Sequence, residues 1–124
     1  MKAILTNYSQ SPRKVRLVTE AVKGKSLAAA DVTLSYMPKR AAEPIQKLIR
    51  SAAANASNSG VDTETLVIKN IEVNKGIVIK RYMPRAMGVA KPVRHRMSHV
   101  EVTLAHAVPK SNKKTNSKKL VAKS

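Results

Sequence analysis

Residues 66–104 read LVIKNIEVNKGIVIKRYMPRAMGVAKPVRHRMSHVEVTL, and their apolar positions alternate at both ends. Val67, Ile71, Val73, Ile77 and Ile79 share odd parity, with Asn70, Glu72, Asn74 and Gly76 between them. Val100, Val102 and Leu104 alternate with His99, Glu101 and Thr103. A period of two marks half-buried β-strands. An antiparallel pairing that keeps both apolar sets on one face joins Ile71 to Leu104, Val73 to Val102, Ile77 to Ser98 and Arg81 to Arg94. It sets the turn at Met87 and Gly88, where glycine tolerates positive φ. A slip of one residue would expose the apolar set; a slip of two would keep it inside.

The middle of this hairpin carries another signal. Lys75, Lys80, Arg81, Arg85, Lys91, Arg94 and Arg96 are seven cations, and no acid occurs between Asn74 and Val100. The expected register puts Arg81, Arg94 and Arg96 on one face and Lys80 and His95 on the other. Neither is a clean core face. About ten residues per strand at roughly 3.3 Å each give an arm on the order of 30 Å long. A lone two-stranded hairpin is marginal in water, so an anionic partner is expected to hold it. A solvated basic hairpin or a long disordered loop is the bland alternative, but the run is long, single-signed and flanked by well-patterned strands.

Working outward towards the N-terminus, helical spacing replaces alternation. Ala41, Ile45, Leu48, Ile49, Ala52 and Ala56 recur at steps of three and four. They predict a helix ended by Asn58, Ser59 and Gly60, with Pro44 near its start, since proline inside a helix costs about 3 kcal/mol. Ser26 caps a shorter helix expected over 27–36, with Leu27, Ala30, Val32 and Leu34 on or near its buried side. Ser11 and Pro12 open a helix over about 12–23, its apolar stripe Val15, Val18 and Val22, its stop Gly24. That segment also carries Arg13, Lys14, Arg16, Lys23 and Lys25 against Glu20 alone. Cations in a first turn oppose the helix dipole, a placement easier to understand if phosphate approaches that end. Residues 2–8 read as an edge strand or an arm. The fold class is therefore α+β: three helices packed on a small antiparallel sheet, with a long protruding β-hairpin at about 76–98.

Composition agrees with one domain over 1–108 followed by a basic tail, 109–124, expected to be disordered until bound. The chain has 124 residues, and 24 Lys and Arg against 7 Asp and Glu give a formal charge of +17, which favours polyanionic partners. There is no Cys, hence no disulfide, thiolate metal site or Cys nucleophile. No Phe or Trp and only three Tyr are present, so reading of phosphate and shape is expected, and base stacking is not. Residues 1–10 lack the apolar core of a secretory signal, and no apolar run approaches membrane-spanning length. His95 and His99 have a spacing that suits metal ligands on a helix, but they fall in a strand pattern among arginines. No metal, cofactor, catalytic residue or small-molecule substrate is expected. The expected RNA-binding residues are Arg13, Lys14, Arg16, Lys25, Lys80, Arg81, Arg85, Lys91, Arg94, His95 and Arg96.

Three segments in order carry a resemblance. SPRKVRLV from Ser11, closing at Gly24 and Lys25, then SAAANA from Ser51, then RYMPRAMG from Arg81 with Ser98, His99 and Val100, together resemble the bacterial-type family of large-subunit ribosomal protein number twenty-two. The resemblance covers about residues 8–104. It implies a domain on the outer surface of the subunit near the peptide exit, bound to large-subunit ribosomal RNA and beside other ribosomal proteins. It implies that the hairpin runs into the RNA, and that Arg85, Ala86, Met87, Gly88, Val89 and Ala90 form a tip in the wall of the nascent-peptide tunnel, near where macrolide antibiotics bind. Val89 departs from the family pattern, which often has Arg after that glycine. The setting implied is the cytoplasmic ribosome, an organellar ribosome being the other that fits. A non-ribosomal RNA- or DNA-binding architectural protein with the same arm is the alternative, and a basic enzyme using His95 and His99 a third.

Overall fold

The computed structural model describes residues 1–106. The tail expected over 109–124 lies outside the described residues. The order is β1 (Lys2–Tyr8), α1 (Pro12–Val22), α2 (Leu27–Ser35), α3 (Ala42–Asn58), β2 (Leu66–Pro84) and β3 (Ala90–His106), with a 3-10 turn, Thr63–Thr65, before β2. The strands form one antiparallel sheet in the order β1-β3-β2. The helices cover one face: α1 lies over β2 and β3, α3 over β1 and β3, and α2 packs against α3. This is the α+β architecture expected.

Each helix begins and ends for a local reason. Pro12 occupies the first position of α1, where its missing N–H has no helical partner. Ser11 stands before it in extended conformation but makes no side-chain cap; its carbonyl instead accepts from Lys14 and Val15. The Ser26 hydroxyl does accept from the Ala29 N–H, at 3.4 Å. In α3, Pro44 is the third residue, inside the turn whose N–H groups lack partners. Gly24 and Gly60, at φ 78° and 76°, reverse the chain after α1 and α3.

The core joins the inward stripes of α1 and α3 to one sheet face. Val15, Val18, Val22, Ile45, Leu48, Ile49, Ala52 and Ala56 are buried against Ala3, Val100, Val102 and Leu104. Ile45 is fully buried, and Ile45→Ala is expected to cost about 2–5 kcal/mol by transfer and cavity terms, read as a lowered urea midpoint. One expectation for α2 fails: Ala30 and Leu34 are buried, but Val32 is 58% exposed. The helix is apolar nearly all round, so its pattern did not single out the inward face.

The pairing of β2 with β3 differs from the register expected. Ile71 pairs with Val102, Val73 with Val100 and Arg81 with Val93. Ile71 and Val73 are slipped by two residues, which keeps them on the same face, and two irregularities shift the rest of the ladder by one residue each. Ile68 pairs with Leu104 and Asn70 with Thr103, so Lys69 is an extra residue on β2. Lys75 pairs with Ser98 and Val78 with Arg96, so Gly76 and Ile77 together oppose Met97. The first bulge lets Leu66 and Ile68 share the buried face with Ile71 and Val73, while Val67, placed inside by parity, is only half-buried. The second leaves Ile77 61% exposed.

Candidate nucleic-acid interface

Beyond Ser98 the sheet leaves its core. None of residues 74–97 is buried. The two strands continue paired to Pro84 and Ala90, and close through the turn Ala86–Gly88. Met87 and Gly88 both take left-handed conformations, at φ 60° and 68°, where the expected turn lies. The Arg85 N–H donates to the Val89 carbonyl across it, at 2.8 Å.

Paired residues share a face, and this sorts the cations. Lys80 pairs with Arg94, Val78 with Arg96, and all four look the way of the helices. Arg81, paired with Val93, and His95, paired with Ile79, look the other way, as does Lys91, paired with Met83. The grouping expected from sequence, Arg81 with Arg94 and Arg96, is therefore corrected: Lys80 takes that place, because the Gly76 bulge shifts the parity of β2.

On the helix side the hairpin and the start of α1 enclose an open groove of about 710 Å³. Arg13, Lys14 and Arg16 come from α1, Lys75 and Lys80 from β2, and Arg94 and Arg96 from β3. Ser11, Pro12 and Val78 complete the lining, and no acid contributes. Lys75 was not among the residues expected at the site; as the first cation of the run, next inward-facing after Val73, it was the one to add. Lys25 lies elsewhere: its ammonium donates to the Thr33 hydroxyl, and its carbonyl accepts from the Ile68 N–H. Arg85 sits at the far turn. The structure thus brings six expected residues together and leaves Lys25, Arg81, Arg85, Lys91 and His95 off the groove.

Charge in the groove is uncompensated. The ion pairs among the described residues are Lys2 with Glu101, Lys47 with Glu43 and Arg50 with Asp31, none on the groove. The Asp31 carboxyl is held below its ordinary range by the Arg50 guanidinium, against the opposing effect of desolvation, with help from Gln46. A second cavity, about 620 Å³ between α2 and α3, has the apolar floor Leu27, Ile49 and Ala53, and sets Asp31 and Glu64 against Arg50. In the groove, by contrast, seven cations and the positive end of a helix converge on one opening without an acid. His99, singled out for its spacing to His95, accepts the Asn7 peptide N–H on Nδ1 at 3.1 Å and so ties β1 to β3. Among the described residues, no three His, Cys, Asp or Glu side chains come together to hold a metal.

Comparison with known proteins gives this surface a context. The model of the family described as ribosomal protein L22p/L17e matches residues 3–105. The chain belongs to the L22 ribosomal protein family. Curated relatives named large ribosomal subunit protein uL22 agree with it along most of their length. The relative from Mesoplasma florum is 47% identical over 105 residues, 84% of this chain and 94% of its own. That from Herpetosiphon aurantiacus is 48% identical over 102 residues, 82% and 90% of the two chains. That from Myxococcus xanthus is 45% identical over 100 residues, 78% and 88%. The L22 match spans all three helices and nearly the whole sheet, so groove and hairpin both belong to the shared part.

Proposed function

We infer that this chain is a structural, non-enzymatic constituent of the large ribosomal subunit. It binds ribosomal RNA through the cationic groove and the hairpin, among neighbouring ribosomal proteins, in the cytoplasm. The observation that carries the reading is the groove itself. Seven cations without acid partners, drawn from a helix start and a hairpin base, meet in a chain of the L22 family. Phosphate contacts position a protein without reading sequence, so the RNA is selected by its fold, with segments that approach one another clamped during assembly. Family membership sets aside the non-ribosomal architectural alternative.

The expected measurement is salt dependence. Each phosphate neutralised adds roughly 0.7–0.9 to the slope of log affinity against log salt, so the groove's seven cations predict a slope of about 5–6. Filter binding with large-subunit RNA checks this, and a slope below about 2 would refute it. Retention on large subunits pelleted through a salt wash is the companion test.

The finer reading concerns the tip. Arg85, Ala86, Met87, Gly88, Val89 and Ala90 are exposed, Met87 almost completely, with one cation among apolar and small residues. A tip of this kind suits the wall of a tunnel through which nascent peptide slides. Proximity to a bound macrolide belongs to the same reading. Crosslinking from Met87, replaced by a photoreactive residue, to a stalled nascent chain tests it. The remaining expected residues, Lys25, Arg81, Lys91 and His95, would meet RNA on the other surfaces of the hairpin and body.

A further inference from the structure

We propose that Gly76 and Arg16 are positioning residues that set the direction in which the hairpin leaves the domain. This rests on the groove as the RNA interface, because Arg16 joins its two walls, α1 and the hairpin, at the base of β2.

Gly76 acts through lack of a side chain. It and Ile77 oppose Met97 alone, and such a bulge bends and twists the strand that carries it. A Cβ on Gly76 would stand 3.1 Å from the carbonyl carbon and oxygen of Met97, and 3.2 Å from His99 Nε2. Its φ is outside the left-handed region, so glycine serves here for room and not for conformation. The Met97 atoms are backbone, which can yield only by moving β3. His99 is itself fixed, because Nδ1 accepts from Asn7 at the end of β1.

Arg16 acts from the helix side. Its guanidinium donates to the Val73 carbonyl from Nε at 3.3 Å and from a terminal nitrogen at 2.8 Å. It thus links α1 to β2 three residues before the bulge. Arg16 lines the groove, yet two of its five donors are committed to this strut. Lysine at this position would keep the charge and lose the paired geometry.

The chain has no cysteine, so two can be introduced for spin labels, Ser57→Cys on α3 and Ile79→Cys just beyond the bulge, on the hairpin face away from the groove. Pulsed EPR on the full-length protein then reads the hairpin's direction without RNA. Gly76→Ala is expected to shift the mean distance, and Arg16→Lys to broaden its distribution, with circular dichroism reporting the same fold. In filter binding both variants should lower the salt slope, by roughly 0.7–0.9 for each phosphate that is no longer neutralised. A smaller folded fraction would reduce the active concentration and leave the slope alone. Distance distributions identical to the parent's in both variants would overturn the proposal. Altered distances with an unchanged slope would uphold the positioning role and count instead against the groove as one RNA interface. If Gly76→Ala does not fold, Arg16→Lys decides alone.

Discussion

Lys80, Arg94 and Arg96 replaced together by Gln are expected to weaken binding to large-subunit RNA on the order of a hundredfold at about 0.1 M salt, and to lower the salt slope by about 2–3. Both figures follow from counterion release. Each neutralised phosphate contributes roughly 0.7–0.9 decades between 1 M and about 0.1 M salt, and three of them contribute about two decades or more. The three side chains are chosen because the pairing sets them on one face, against the start of α1. All three are exposed, so their removal opens no cavity and the fold should survive. Lys47→Gln is the control. Lys47 is also exposed and cationic, but it pairs with Glu43 on α3, away from the groove. It should leave the slope unchanged. A loss for the control of about one third of the triple variant's, on a logarithmic scale, would mean that net charge, and not the groove, binds RNA.

The order of elements and most of the core were legible because their signals are local. The stripe from Ala41 to Ala56 has one period, and all six of its apolar members are buried. Pro12, Pro44, Ser26 and Gly24 punctuate the helices by constraints that act within a turn. What stayed hidden depended on how chain segments meet. Parity assumes an unbroken ladder, and Lys69 and Gly76 each break it by one residue. The lone glycine in a strand pattern was a readable sign of a bulge, and it was the one that exchanged Lys80 for Arg81 on the groove face. The other bulge, at Lys69, had no such mark. Arg16 shows the same limit at a single residue: sequence gives its charge, but only the packing of α1 on β2 brings its guanidinium to the Val73 carbonyl.

Amide hydrogen exchange should divide the free protein at the second bulge. Amides of residues 80–91 are expected to exchange almost as fast as an unfolded chain, while those of Ile71, Val73, Val100 and Val102 exchange at least about a thousandfold more slowly. The reason lies in what each half of the same hairpin rests on. Inboard of Ser98, the strands are pinned by a helix layer, and opening them exposes buried Val and Ile side chains. Outboard, no side chain is buried, and like charges face one another across the ladder, Lys80 beside Arg94. Such a pair destabilises two strands that have little else to hold them. Phosphate reverses that balance, since the charges that repel in water become the groups that bind. On the assembled subunit the same amides should therefore be protected, with no change in the inboard set. Strong protection of residues 80–91 in the free protein would mean that the hairpin holds its shape by itself, and RNA would then dock onto a finished surface instead of completing one.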